Sequence, residues 1–253
     1  MLDTPISVRF LMGIRRRSWY TIQSDHRASR ILANSSEQSG EAAKAKLTMA
    51  VKARIGVLAL QGDFREHIRA LNSRGAEAFP VRTPADLRGI DGLVIPGGES
   101  TVIGKLMVEY GLDQPLRNLI AAGMPTWGTC AGLILLSQET DNALAGQPLL
   151  ATMRIRTRRN AFGPQRASFE ADLRIPALGE QPYHAVFIRG PAVETVGAEV
   201  EVLARLDDGD NPESGTIVAV REGHVLGTAF HPEVTSDPRF HDYFLAMAQP
   251  ARV

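Results

Sequence analysis

The chain has 253 residues, 44% apolar and 22% charged, with 28 basic side chains balanced by 28 acidic ones. That length suits one large α/β domain or two small ones, and zero net charge gives no field to attract nucleic acid or an anionic membrane. A single cysteine excludes an internal disulfide, which fits a reducing, cytoplasmic setting, and no apolar run reaches the roughly 18–20 residues that span a bilayer.

Residues 1–50 differ in texture from the rest. RRRSWYTIQSDHRASR and ANSSEQSGEAAKAK are rich in Arg, Ser and Ala and show no sustained period. Their apolar content is too thin to offset the entropy of ordering. The stretch reads as a disordered extension or as the product of a start chosen too far upstream. An Arg/Ser-rich targeting peptide is the third reading, against which Asp3, Asp25, Glu37 and Glu41 count. Residues 51–253 read as a single domain.

RIGVLAL (54–60) is a β-branched, apolar strand that ends in Gln61-Gly62. A helix follows, with Phe64, Ile68 and Leu71 on one stripe, Asp63 placed to cap its start and Gly75 to stop it. EAFPV and GLVIPGG (92–98) are further strands, the latter continuous and apolar as in a sheet covered on both faces. Helical spacing recurs over 101–110 and 113–122. MPTWGT then leads to Cys130, and AGLILLSQE carries the next helix. Beyond residue 150 come short strands: MRIRTRR, ASFEADL, HAVFIRG, VEVLARL, GTIVAVRE and GHVLGTAF, the last two forming a hairpin that turns at Glu222-Gly223. DPRFHDYFLAMA closes the chain as an amphipathic helix. The βαβ rhythm of the first half implies a mostly parallel sheet with helices on both faces.

The only cysteine sits in GTCAG. A lone Cys is commonly a small buried hydrophobe, but G-x-C-x-G also has the form of the sharp strand-to-helix turn that lifts a nucleophile out of a sheet. The backbone N–H of Ala131 would then be an oxyanion donor. His231 follows the strand VLGTAF and lies in FHPE, two residues before Glu233. Alone it reads more readily as a structural histidine. With Cys130, the three make the set that nucleophilic catalysis needs: thiol, base and orienting acid. PGGES (96–100) is either an ordinary glycine turn with a Ser cap or an anion-receptive loop. No Cys/His cluster has metal-ligand spacing.

PGGES, GTCAG and FHPE in this order resemble the triad glutamine amidotransferases. LALQGDFREHIRAL, IPGGEST, WGTCAGLILL, RRNAFG, SFEADL and HAVFIRGP, over about residues 54–247, resemble more narrowly the glutaminase-subunit family of pyridoxal 5′-phosphate synthases. The resemblance implies a flavodoxin-like class I amidotransferase fold and hydrolysis of L-glutamine to glutamate and ammonia. It makes Cys130 the nucleophile, His231 the base and acid, and Glu233 the residue that orients the histidine. Gly98, Glu99, Ser100, Arg159, Ile188 and Arg189 would hold glutamine, Arg159 by gripping the α-carboxylate, with the N–H groups of Gly98 and Ala131 as the oxyanion hole. The implied partner is a (β/α)₈-barrel synthase subunit that receives the ammonia, and no cofactor is implied. Since free ammonia would be protonated in water, coupling the two reactions also favours gating of the activity by that partner. Pro164 and Ala167 depart from the family pattern, as does Gly190 in GPAVETVG. A non-catalytic regulatory subunit and a stand-alone γ-glutamyl hydrolase are the alternative readings.

Overall fold

The computed structural model describes residues 52–163, 168–206 and 215–249. The expectations for residues 1–50, and for Pro164 and Ala167, lie outside the described residues. Strand β1 (Arg54–Leu58) is followed by helix α1 (Phe64–Ser73), β2 (Glu77–Val81), β3 (Gly92–Ile95), α2 (Ser100–Glu109), α3 (Asp113–Ala121), β4 (Thr126–Thr129) and α4 (Ala131–Leu136). Next come β5 (Ser137–Asp141), β6 (Met153–Arg158), β7 (Ser168–Leu173), β8 (Tyr183–Ile188), β9 (Ala192–Val196), β10 (Glu201–Leu206), β11 (Thr216–Glu222), β12 (Val225–Thr228) and α5 (Arg239–Met247).

The main sheet runs β2-β1-β3-β4-β12-β11-β9-β6-β5, with β10 also paired to β11. It is parallel from β2 through β12 and antiparallel from β12 to β6. The parallel half has the flavodoxin-like order, whose sites form at the carboxyl ends of the strands where the order reverses. Strands β3, β4 and β12 are buried along their whole length, as continuous apolar runs covered on both faces should be. Successive residues of β4 show the two layers. Trp127 meets Phe240 and Phe244 of α5, whereas a Cβ on Gly128 would run into Gly132 and Leu136 of α4. Neighbouring strand residues face opposite ways, so α5 and α4 cover opposite faces. Among the described residues, no helix is long and apolar enough to cross a membrane.

Three sequence expectations change. The helix expected across AGLILLSQE stops at Leu136, and Ser137–Asp141 becomes β5, parallel to β6. The Ser137 hydroxyl turns back onto the Ile134 carbonyl at 2.7 Å, a local bond that competes with further helix. AVETV, not read as a strand, pairs with β6 and β11 as β9. The hairpin turns one residue later, because Glu222 pairs with Val225 and leaves Gly223-His224 as its loop. Gly223 supplies the positive φ, 56°, that a two-residue hairpin of this kind requires at its first position.

Strands β7 and β8 form a separate two-stranded sheet. Its inner face carries Phe169 and Phe187, stacked at 4.6 Å, with Phe162 edge-on to both. This cluster fixes the turn after β6, which carries Arg159, beside the end of β8.

Candidate active site

Cys130 stands between β4 and α4 at φ 47°, a conformation that non-glycine residues rarely adopt. Such a backbone costs about 1–3 kcal/mol and persists only where its surroundings impose it. Here they do. The Cys130 N–H donates to the Thr228 carbonyl at 2.8 Å, and the flanking glycines let the turn close. A Cβ on Gly132 would stand 2.0 Å from the Ile95 carbonyl oxygen, and one on Gly128 would stand 2.6 Å from the Gly132 backbone. The thiol is thus presented at the carboxyl edge of the sheet, 7% exposed.

His231 emerges beyond β12. Its backbone N–H donates to the Val186 carbonyl of β8 at 2.9 Å. A short 3-10 turn, Pro232–Val234, folds Glu233 back so that its Oε1 lies 2.7 Å from His231 Nδ1. The imidazole and the carboxylate are both buried. Burial by itself would lower the histidine's pKa, but the neighbouring Cys130 and Glu233 outweigh it and push the ring up to about 10. Glu233 is held far below the usual carboxylate range: burial opposes this, but the nearby charge of His67 and the hydrogen bond from His231 prevail. The structure therefore brings Cys130, His231 and Glu233 together.

The PGGES loop packs against the same imidazole. A Cβ on Gly97 would come within 2.5 Å of His231 Cε1. The loop is held from the β1–α1 side by the LQGD segment: the Gly97 carbonyl accepts from the Asp63 N–H at 3.2 Å, and the Glu99 N–H donates to Gln61 Oε1 at 2.8 Å. Gly62 admits this approach, since a Cβ there would sit 1.8 Å from the Gly97 oxygen. Ala131, the first residue of α4, is buried beside the thiol.

The cap of α2 is not the serine of the glycine-turn reading but Glu99. Its carboxylate accepts from the N–H groups of Thr101 and Val102 at 3.2 and 2.8 Å. It also receives Arg159 Nη2 at 2.7 Å. Burial opposes ionisation here, but those bonds and the guanidinium charge lower its pKa. Arg159 Nη1 donates to Thr101 Oγ1 and Gln147 Oε1, while Gln147 Nε2 donates to Ser100 Oγ. Glu99, Ser100 and Arg159 therefore form one network with Gln147, and one nitrogen of the guanidinium is engaged by a carboxylate of the protein itself. Ile188 ends β8 and Arg189 follows it, both exposed and Arg189 at φ 48°. They are tied to the Arg159 turn by the Ala161 N–H, which donates to the Gly190 carbonyl at 3.1 Å.

Asp63 does not cap α1 with its side chain. Its Oδ2 lies 3.6 Å from His231 Nδ1 instead, and burial together with the charge of Glu233 raises its pKa. Asp63, His231 and Glu233 offer ligand atoms within 4.8 Å of one another, but Nδ1 and Oε1 are already engaged with each other at hydrogen-bond distance. The sequence reading also missed His67, Thr129 and His241, which lie behind Glu233. The available signal was position: His67 shares the buried stripe of α1 with Phe64, Ile68 and Leu71.

Residues 57–249 match the SNO glutamine amidotransferase family. The chain is 55% identical over 197 residues to the pyridoxal 5′-phosphate synthase subunit PdxT of Clavibacter michiganensis, covering 78% of this chain and 91% of that relative. A crystal structure of a glutamine amidotransferase superposes with a TM-score of 0.70 at 48% identity, covering 77% of this chain and 98% of that one. The structure of PurLQS from Thermotoga maritima shares the fold, with a TM-score of 0.56 at 16% identity over 78% of this chain and 99% of that chain.

Proposed function

The chain belongs to the SNO glutamine amidotransferase family, and from that premise we propose that it hydrolyses L-glutamine to L-glutamate and ammonia, with Cys130 as nucleophile, His231 as base and acid, and Glu233 as the orienting carboxylate. The ammonia serves pyridoxal 5′-phosphate synthesis, in which a relative 55% identical is named as a synthase subunit. One observation carries the reading. A thiol on a positive-φ turn meets an imidazole that is hydrogen-bonded, at 2.7 Å, to a fully buried carboxylate.

Each step has a group to perform it. Cys130 Sγ, its proton already held by His231, attacks the side-chain amide carbon of glutamine. The same proton goes to the departing nitrogen, which leaves as ammonia and gives a γ-glutamyl thioester. A water molecule, deprotonated by His231, then attacks the thioester carbon and returns the sulfur as a thiol. Glu233 keeps the proton of His231 on Nδ1, so that Nε2, which is buried and has no hydrogen bond of good geometry, faces the chemistry. The N–H groups of Gly98 and Ala131 take the negative charge of both tetrahedral intermediates, worth about 10²–10³ in rate for one such donor. Gly98, Glu99, Ser100, Arg159, Ile188 and Arg189 frame the amino-acid end of the substrate. If Arg159 takes the α-carboxylate, it exchanges one carboxylate partner for another.

The synthase partner, a (β/α)₈ barrel in this reading, receives the ammonia before water protonates it. Glutamate and ammonia release, measured with and without the cognate synthase subunit, tests the proposal. Addition of the partner raises kcat by tenfold or more. Equal rates in both arms favour a stand-alone hydrolase, and no release in either favours a regulatory subunit.

A further inference from the structure

Behind the triad lies a buried polar group that the mechanism above leaves unused. Glu233 has two oxygens. Oε1 is bonded to His231, whereas Oε2 is fully buried without a hydrogen bond of good geometry. The nitrogen facing it is Nε2 of His67, at 3.2 Å. His67 is itself completely buried, and the same Nε2 lies 3.2 Å from Oγ1 of Thr129, the residue before Cys130. On the other side of the ring, Nδ1 meets His241 Nε2 of α5 at 3.3 Å. Trp127 lies edge-on to both histidines, at 5.4 and 5.1 Å. The imidazole is thus boxed between the acid of the triad, the strand that carries the nucleophile and the closing helix.

We propose that His67 is a positioning residue for the glutaminase reaction, its Nε2–H lying between Thr129 Oγ1 and Glu233 Oε2 as an electrostatic contact that steadies the carboxylate and acts through it on His231. The location of the proton follows from the charges present. A lone pair on Nε2 would face a buried carboxylate oxygen at 3.2 Å, which is repulsive, so Nε2 carries hydrogen whichever way the bond to His241 runs. His241 complements this: burial and the neighbouring His67 lower its pKa to about 3, so it stays neutral and places no second charge beside the pair. The chain of contacts runs from His241 through His67 and Glu233 to His231 and Cys130. The groups facing His67 are Glu233 from the 3-10 turn, His241 from α5 and Asp63 from the loop before α1. Those facing His231 are Cys130, Glu233 and Asp63.

This inference rests on the glutaminase reading, so its test has one readout that needs no glutamine. Three full-length variants are compared with the wild type: His67→Gln, whose amide nitrogen reaches the place of Nε2; His67→Asn, whose amide reaches only Nδ1; and His67→Leu. With the synthase subunit present, His67→Leu and His67→Asn lower kcat for glutamine by about ten- to a hundredfold, the worth of one polar contact with a buried charge. KM stays constant, because neither His67 nor Glu233 is placed against the substrate, and His67→Gln keeps most of the rate. In a Glu233→Gln background, His67→Leu lowers kcat no further. The second readout is the pH dependence of iodoacetamide labelling of Cys130, the single cysteine of the chain. Its midpoint rises in the Leu and Asn variants and not in the Gln variant. Equal behaviour of the Gln and Asn variants in both measurements overturns the proposal. So does a loss of kcat in His67→Leu with an unmoved labelling midpoint, which marks a merely structural role. If His67→Leu fails to fold, the Gln–Asn comparison decides. A wild type silent toward glutamine refutes the glutaminase reading, while the labelling profiles still judge the contact with Glu233.

Discussion

Replacing Gly97 with alanine adds one methyl group at the point where the PGGES loop lies on the imidazole of His231. The backbone φ of Gly97 is not positive, so alanine brings no conformational strain and the whole effect is contact. The new Cβ stands 2.5 Å from His231 Cε1 and 3.0 Å from Nδ1, and the ring or the loop must yield. The ring is held by Glu233 at 2.7 Å and its backbone by the His231 main-chain N–H on the Val186 carbonyl, and the loop by Gln61 and Asp63. A displacement of roughly 1 Å in a catalytic group lowers kcat by about 10²-fold, while overpacking of one methyl group costs about 1–3 kcal/mol of stability. Gly75→Ala is the control. Nothing lies within 4 Å of its Cβ, but φ is 87°, so it loses about 1–2 kcal/mol to left-handed strain and keeps its kcat. The assay is glutamine turnover with the synthase present, beside thermal unfolding of both variants. Turnover of Gly97→Ala within twofold of wild type refutes the contact argument, whatever its melting temperature.

Glu233→Gln removes the buried anion that fixes the His231 tautomer, and kcat falls by about 10³–10⁴-fold, less than for loss of the nucleophile; a variant at half the wild-type rate contradicts the orienting role. His241→Leu changes the acid limb of stability. The folded pKa of His241 is depressed to about 3 from 6.5, so its contribution is complete above pH 6.5 and is lost as the pH falls from there toward 3. Over that window the wild type loses up to about 1.4 kcal/mol per pH unit through this group, and urea midpoints of the variant fall correspondingly less steeply. Parallel curves for the two proteins refute a neutral, buried His241.

The parallel half of the sheet, and the three residues proposed to act together, carry local signatures in the sequence. Continuous apolar runs mark doubly covered strands, and glycines at fixed spacing around Cys130 mark a turn with no room for side chains. His231 was found by standing at the end of such a run with Glu233 two residues on. What was not legible depends on long-range pairing. Ser137–Asp141 has the composition of a helix end and becomes a strand only because β6 lies beside it. Asp63 has the position of a helix cap, yet its side chain faces His231 across the sheet edge. His67, His241 and Thr129 come from three separate elements, and no spacing within any one of them shows that they meet behind Glu233. The engagement of Arg159 by Glu99 was hidden for the same reason, since sixty residues separate the two partners.

The central claim is that the thiol of Cys130 carries the chemistry. Ammonia and glutamate released from glutamine in the presence of the synthase subunit, for the wild type and for Cys130→Ala, test it most directly. The expected result is equimolar release by the wild type and none above background by the variant, with the variant still folded and still bound to its partner. Turnover by Cys130→Ala at a rate comparable to the wild type contradicts it.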